Sequence, residues 1–188
     1  MRIEYYDRIK GMAILLVISG HVIQRCLGLH DSLNSFITTF HMPLFMFMSG
    51  MFFTPPSPSQ FLHKILRYMV PFLLIGTIYS HYVINVSWER FIMNGAKMGY
   101  WYLFVLAIFY IIMSLTQNVK LKHSIAYDVI TTLCMWACFL WGNKQIVNDQ
   151  HDLLSINYCT TLWFYFCGGY FIRKYNREQY LWVFRNLE

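Results

Sequence analysis

Met98 to Val119 reads MGYWYLFVLAIFYIIMSLTQNV, without one Asp, Glu, Lys or Arg. A helix rises about 1.5 Å per residue, so roughly 20 apolar residues cross a hydrocarbon core of about 30 Å. No soluble core needs so long an uncharged stretch. The run predicts a membrane span at 98–116. Working outward, further spans are expected at 68–88, 35–53 and 11–28 toward the N-terminus, and at 124–142 and 155–172 toward the C-terminus. Within 11–28 the uncharged run Gly11 to Gln24 is short, and it is bordered by Lys10 and Arg25, whose long stems let the charges snorkel outward. Asp128 stands near enough to one end of 124–142 to reach the interface. The fold class predicted is an all-α integral membrane protein with about six transmembrane helices, in a single membrane domain over 1–188.

Composition agrees. Of 188 residues, 57% are hydrophobic and 13% charged, against about 25% charged in an ordinary soluble domain. That excludes a soluble globular domain and a disordered chain. The basic residues fall in short clusters between apolar stretches rather than across one exposed face, so no nucleic-acid partner is expected. Their distribution sets the orientation. Arg2, Arg8, Lys10, Lys64, Arg67, Lys120, Lys122, Arg173, Lys174, Arg177 and Arg185 fall on one side; Arg25, Arg90, Lys97 and Lys144 fall on the other. Both termini are expected in the cytoplasm, with the lipid bilayer as the first partner. The first span begins like a secretory signal but ends in Gln24-Arg25-Cys26-Leu27 with no small-x-small cleavage site, so it reads as a retained helix. Five cysteines show no C-x-x-C spacing and read as small apolar fillers, with no metal expected. Thr54 to Ser59 reads as a stiff turn.

An ionisable side chain inside a span costs several kcal/mol unless it is paired or wet, which makes it a functional candidate. His21 lies about ten residues into the first span. It follows Lys10 by eleven positions, and eleven steps of about 100° return nearly to the same face. That stripe suits a catalytic pair; a hydrogen bond from His21 to a neighbouring helix is the plainer alternative. His41 precedes Met42-Pro43, where the proline frees a carbonyl, and structural and catalytic roles both fit. His81 reads as packing. Lys64 and Arg67, one turn apart and ahead of the third span, suit either positive-inside anchoring or a phosphate clamp. The aromatic clusters Tyr100-Trp101-Tyr102 and Trp163 to Phe166 read as interface belts and packing.

These blocks resemble a known pattern. Asp7-Arg8-Ile9-Lys10-Gly11 with Gly20-His21 is similar to the opening of the acyltransferase-3 family, whose R/K-x10-H motif falls on Lys10 and His21. Phe40-His41-Met42-Pro43-Leu44-Phe45 with Met48-Ser49-Gly50 resembles its F-H-M-P-L-F-x-x-x-S-G segment. Lys64-Ile65-Leu66-Arg67 with Pro71 resembles its R-x-x-R-x-x-x-P segment, with Lys in the first basic place. Trp101-Tyr102-Leu103 is similar to its W-F-L block, and Phe166-Cys167-Gly168-Gly169-Tyr170 with Arg173-Lys174 to its last segment and basic loop. The order is the family's, from residue 7 to 174.

The resemblance implies an O-acyltransferase that takes an acyl group, usually acetyl, from cytoplasmic acyl-CoA and passes it to a carbohydrate hydroxyl, often in a surface polysaccharide. Acyl-CoA is then the co-substrate and the bacterial inner membrane the location. His21 is the implied general base or acyl carrier, Lys10 its electrostatic partner and His41 a second catalytic residue. Lys64 and Arg67 are implied to bind the coenzyme A phosphates. The family usually runs to about ten spans and roughly twice this length, which implies that the chain corresponds to its N-terminal part and that a second chain could complete the fold. Two other functions stand beside the enzyme: a non-catalytic membrane remnant, and a small transporter of a glycan precursor.

Overall fold

A computed structural model describes residues 4–23, 32–117, 124–146 and 152–175. Every regular element among them is helical, in the order α1 (Glu4–Val22), α2 (Ser32–Met51), α3 (Pro58–Ile78), α4 (Trp88–Met93), α5 (Trp101–Gln117), α6 (Ile125–Ile146) and α7 (Ile156–Lys174). Each of the six apolar segments read from the sequence overlaps one long helix. By length and apolar composition, two described stretches suffice to cross a membrane, Pro58–Val83 and Ile125–Gln145; Gly11–Gly20 and Trp101–Gln117 are shorter apolar helices.

Two boundaries differ from expectation. Helix α1 starts at Glu4, so Asp7, Arg8 and Lys10 are helical rather than part of a leading loop. Helix α3 starts at Pro58, ten residues before the expected span, because proline suits the first helical position, where its missing N–H leaves no bond unmade. Lys64 and Arg67 therefore stand on α3 itself, and Pro71 lies inside the helix. The π-helical turn Tyr79–Val83 extends α3, and His81 is exposed there with its ring edge-on to Tyr82. The short α4 was not foreseen, since six residues are too few to register as a span.

The chain forms two compact units. One comprises Met1–Phe53 with Tyr165–Glu188, the other Thr54–Phe164. In the first, α1 packs on α2, and α2 crosses the C-terminal half of α7 at backbone distance. A Cβ on Gly50 would run into the carbonyl oxygen of Phe166, and one on Gly169 into that of Phe47. Only glycine admits such an approach, and lipid-embedded helices rely on it because they have no hydrophobic drive toward one another. Phe53 sits edge-on to both Phe166 and Tyr170, and Arg173 donates to the Met51 carbonyl at 2.9 Å, closing the C-terminus of α2.

In the second unit α5 packs on α3. Phe109 of α5, Phe139 of α6 and Trp163 of α7 meet with centroids 5.1–6.3 Å apart. Indole N–H groups stitch α6 to α7: Trp163 donates to the Thr132 carbonyl at 3.0 Å and Trp136 to that of Thr160 at 3.2 Å. Helix hydroxyls are satisfied locally, as Ser114 by the Tyr110 carbonyl and Thr132 by that of Asp128. Asp128, expected to reach the interface, is instead buried at 1% exposure and accepts a hydrogen bond from the Gln117 amide at 3.0 Å. A partner at hand removes the need to snorkel.

Candidate functional site

The residues read as catalytic lie in the first unit. Lys10 and His21 occupy the same uninterrupted helix α1, so their eleven-residue spacing keeps its helical meaning. Their side chains lie outside the described residues. Helix α2, packed on α1, carries His41 about ten residues from its start. His41 is buried at 6% exposure. Two turns on, the buried Met48 and Met51 pack with Leu44 and Phe47. Outside that turn, Thr39, Phe40, Pro43, Leu44, Phe47 and Tyr165 line an open, apolar cavity of about 470 Å³. Its lining suits hydrocarbon and includes no cationic side chain for a phosphate. Pro43 supplies part of the wall, since a proline inside a helix turns the chain without occupying a hydrogen-bond donor.

The residues read as binding the donor lie in the second unit. Lys64 and Arg67, three positions apart on α3, share a face of the helix. They differ in what they do there. The Lys64 ammonium lies 3.3 Å from the Thr54 hydroxyl and 3.4 Å from the Thr54 carbonyl, and 5.9 Å from the centre of the Tyr110 ring. Tyr110 donates its own hydroxyl to that same carbonyl at 3.2 Å. Lys64 thus ties α3 back to the start of the T-P-P-S-P-S turn. Arg67 is exposed, whereas Lys64 is half-buried.

Sequence reasoning missed two things. Nothing in the spacing of the motif blocks around Gly50 and around Gly168-Gly169 tells that they meet; Gly50 and Gly169 each face the other helix's backbone, and Gly168 the Phe47 ring. The second is the setting of Lys97, which the sequence places only among the basic residues of the second side. Lys97 is buried at 1% exposure between two loops, and the only sequence sign was its place in a Gly-Ala-Lys-Met-Gly turn. Among the described residues, no group of His, Cys, Asp and Glu could hold a metal ion. Of the cysteines, Cys159 and Cys167 are buried and Cys134 and Cys138 exposed; Cys26 lies outside the described residues.

Set against known families, residues 3–187 match the acyltransferase-3 model, described as an acyltransferase domain. Comparison with curated proteins and with solved structures finds no match.

Proposed function

The chain belongs to the acyltransferase-3 family of membrane acyltransferases, and from that premise we propose that it moves an acyl group, acetyl in the simplest case, from cytoplasmic acyl-CoA to a hydroxyl of a carbohydrate such as a cell-surface polysaccharide. The observation that carries this reading is the placement of Lys10 and His21 on one unbroken helix, at the spacing of the family's basic–histidine motif. In it, a neutral imidazole at His21 takes the proton of the acceptor hydroxyl. The oxygen attacks the thioester carbonyl, a C–O bond forms, and the C–S bond breaks. The coenzyme A thiolate then recovers the proton from the imidazolium. Lys10, eleven positions before His21 on the same helix, is its electrostatic partner toward the donor side. His41, buried on the adjoining helix, is the second histidine of the site. Arg67 is the principal phosphate contact, with Lys64 beside it.

The same reading takes α1, α2, α3, α5, α6 and α7 as the spans, both termini in the cytoplasm, and the bacterial inner membrane as the location. Support comes from the excess of Lys and Arg in the sequence flanking the expected spans on one side. The test is alkali-labile acyl ester on surface glycans of cells producing the chain, beside cells producing His21→Ala. Ester that depends on His21 is expected. Equal ester from both would remove the base assignment.

A further inference from the structure

The loops at one end of the second unit are knotted around a buried charge. Lys97 extends its ammonium to the Ile92 carbonyl at 2.8 Å and the Leu153 carbonyl at 2.9 Å, with those of Asn94 at 3.3 Å and Asp152 at 3.5 Å. The Phe104 ring closes another side, its centre 4.9 Å from the nitrogen. Ile92 lies in the last turn of α4 and Asn94 caps it, where helix carbonyls run out of helical donors. The other two carbonyls come from a segment 55 and 56 positions along the chain. The Asn94 carbonyl also accepts the Lys97 amide at 3.0 Å and the Asp152 carbonyl the Ser155 amide at 3.1 Å. The ammonium is thus the added donor there and the principal one at Ile92 and Leu153.

The nearby carboxylate is occupied elsewhere. Asp152 accepts from the Ile156 and Asn157 amides at 2.7 and 3.3 Å, capping α7. Further bonds run between the same two segments: the Asp152 amide to the Met93 carbonyl, and the Ser155 hydroxyl to the Gly95 carbonyl, both at 2.8 Å. Both Lys97 (φ 44°) and Ser155 (φ 51°) hold left-handed backbone. Such conformations cost about 1–3 kcal/mol each and persist only where the surroundings over-determine them. A lone hydrocarbon stem would not need this geometry; a cation with three N–H donors facing four carbonyls does.

We propose that the Lys97 ammonium is a tethered cation filling a carbonyl-lined site between residues 92–97 and 152–155, that it clasps these segments together, and that the emptied site accepts a free primary alkylammonium ion. Burial pulls the Lys97 ammonium down to about 8, with the Asp152 carboxylate and then Cys159 opposing that shift. At pH 7 the side chain is therefore still mainly charged. A primary ammonium reproduces both its charge and its donors, whereas tetramethylammonium reproduces only the charge.

The test is amide hydrogen exchange on the full chain in detergent at pH 7, comparing wild type with Lys97→Ala. Exchange at residues 152–157 is expected to speed up roughly tenfold or more in the variant, with α6 unchanged. Adding propylammonium, which restores the deleted atoms, should slow it again; tetramethylammonium should not. Wild-type exchange in Lys97→Ala, failure of propylammonium, or equal rescue by both ions would overturn the proposal. If Lys97→Ala also loosens α6, Lys97→Met is measured instead, since it keeps the stem and deletes the donors. Faster exchange confined to residues 88–100 and 152–157 is expected there, and unaltered exchange would refute the clasp.

Discussion

The two units hold their chains together by opposite means. Where α2 crosses α7, contact depends on what is missing: Gly50 and Gly169 carry no side chain, so the backbones touch. Where the loops of the second unit meet, it depends on what is added: a lysine side chain whose ammonium reaches carbonyls of both segments. The difference follows from backbone satisfaction. Helices satisfy their own N–H and C=O groups, so two can close on each other with nothing between. Loops leave carbonyls unmatched and need a donor brought to them.

The glycine crossing should break hardest. Gly169→Ala must push Cβ into the Phe47 carbonyl, and backbone cannot yield as a flexible side chain would. Loss at or above about 3 kcal/mol is expected, read as sharply reduced recovery of folded protein from membranes. Gly11→Ala makes the control, since a Cβ there meets nothing within 4 Å. If both alanines are tolerated alike, the close crossing is wrong.

Next in size is the loop clasp. Lys97→Met leaves the Ile92 and Leu153 carbonyls without their donor, at a cost of about 1–3 kcal/mol for an unmet buried group. Thermal unfolding in detergent reads it. A variant as stable as wild type would show the carbonyls to be served by other donors.

A smaller effect separates the two cations of α3. Arg67→Ala should weaken acyl-CoA binding several-fold, and the loss should shrink as salt rises, because an exposed charge is screened. Lys64→Ala should weaken it less and instead lower stability, since Lys64 is spent partly on Thr54. The reverse ranking, by titration calorimetry, would make Lys64 the phosphate contact.

The last contrast is a pH dependence of the same clasp. The Lys97 pKa is lowered in the folded protein, to about 8 from an ordinary 10.5, chiefly by burial. The cost of holding the charge is then fully present below about pH 8 and relieved as pH rises toward 10.5. Against Lys97→Arg, which stays charged throughout, wild type should gain relative stability between pH 8 and 10. A difference flat with pH would contradict the lowered value.

Much of the helical content was legible because a membrane forbids unpaired charge. Runs free of Asp, Glu, Lys and Arg announce helices whatever they pack against, and each of the six expected segments overlaps one. Boundaries were less so. Pro58 starting α3 was hidden by reading the proline cluster as turn alone. The Lys10–His21 stripe was legible because it is a property of one helix. The Gly50–Phe166 and Gly169–Phe47 approaches were not, although their motifs were in plain view, since spacing along a chain says nothing of which distant helix it meets. The burial of Lys97 was not legible for the same reason: two of its four carbonyl partners lie more than fifty residues away, and a lysine in a glycine-flanked loop ordinarily points to water.

The most direct test of the proposed chemistry is transfer of labelled acetyl from acetyl-CoA to surface glycan by purified protein in liposomes, comparing wild type with His21→Gln. Glutamine keeps hydrogen bonding and size but cannot serve as a base. The reading predicts transfer by wild type and background from His21→Gln, with both proteins inserted in the bilayer to the same extent. Equal transfer by the two would contradict it.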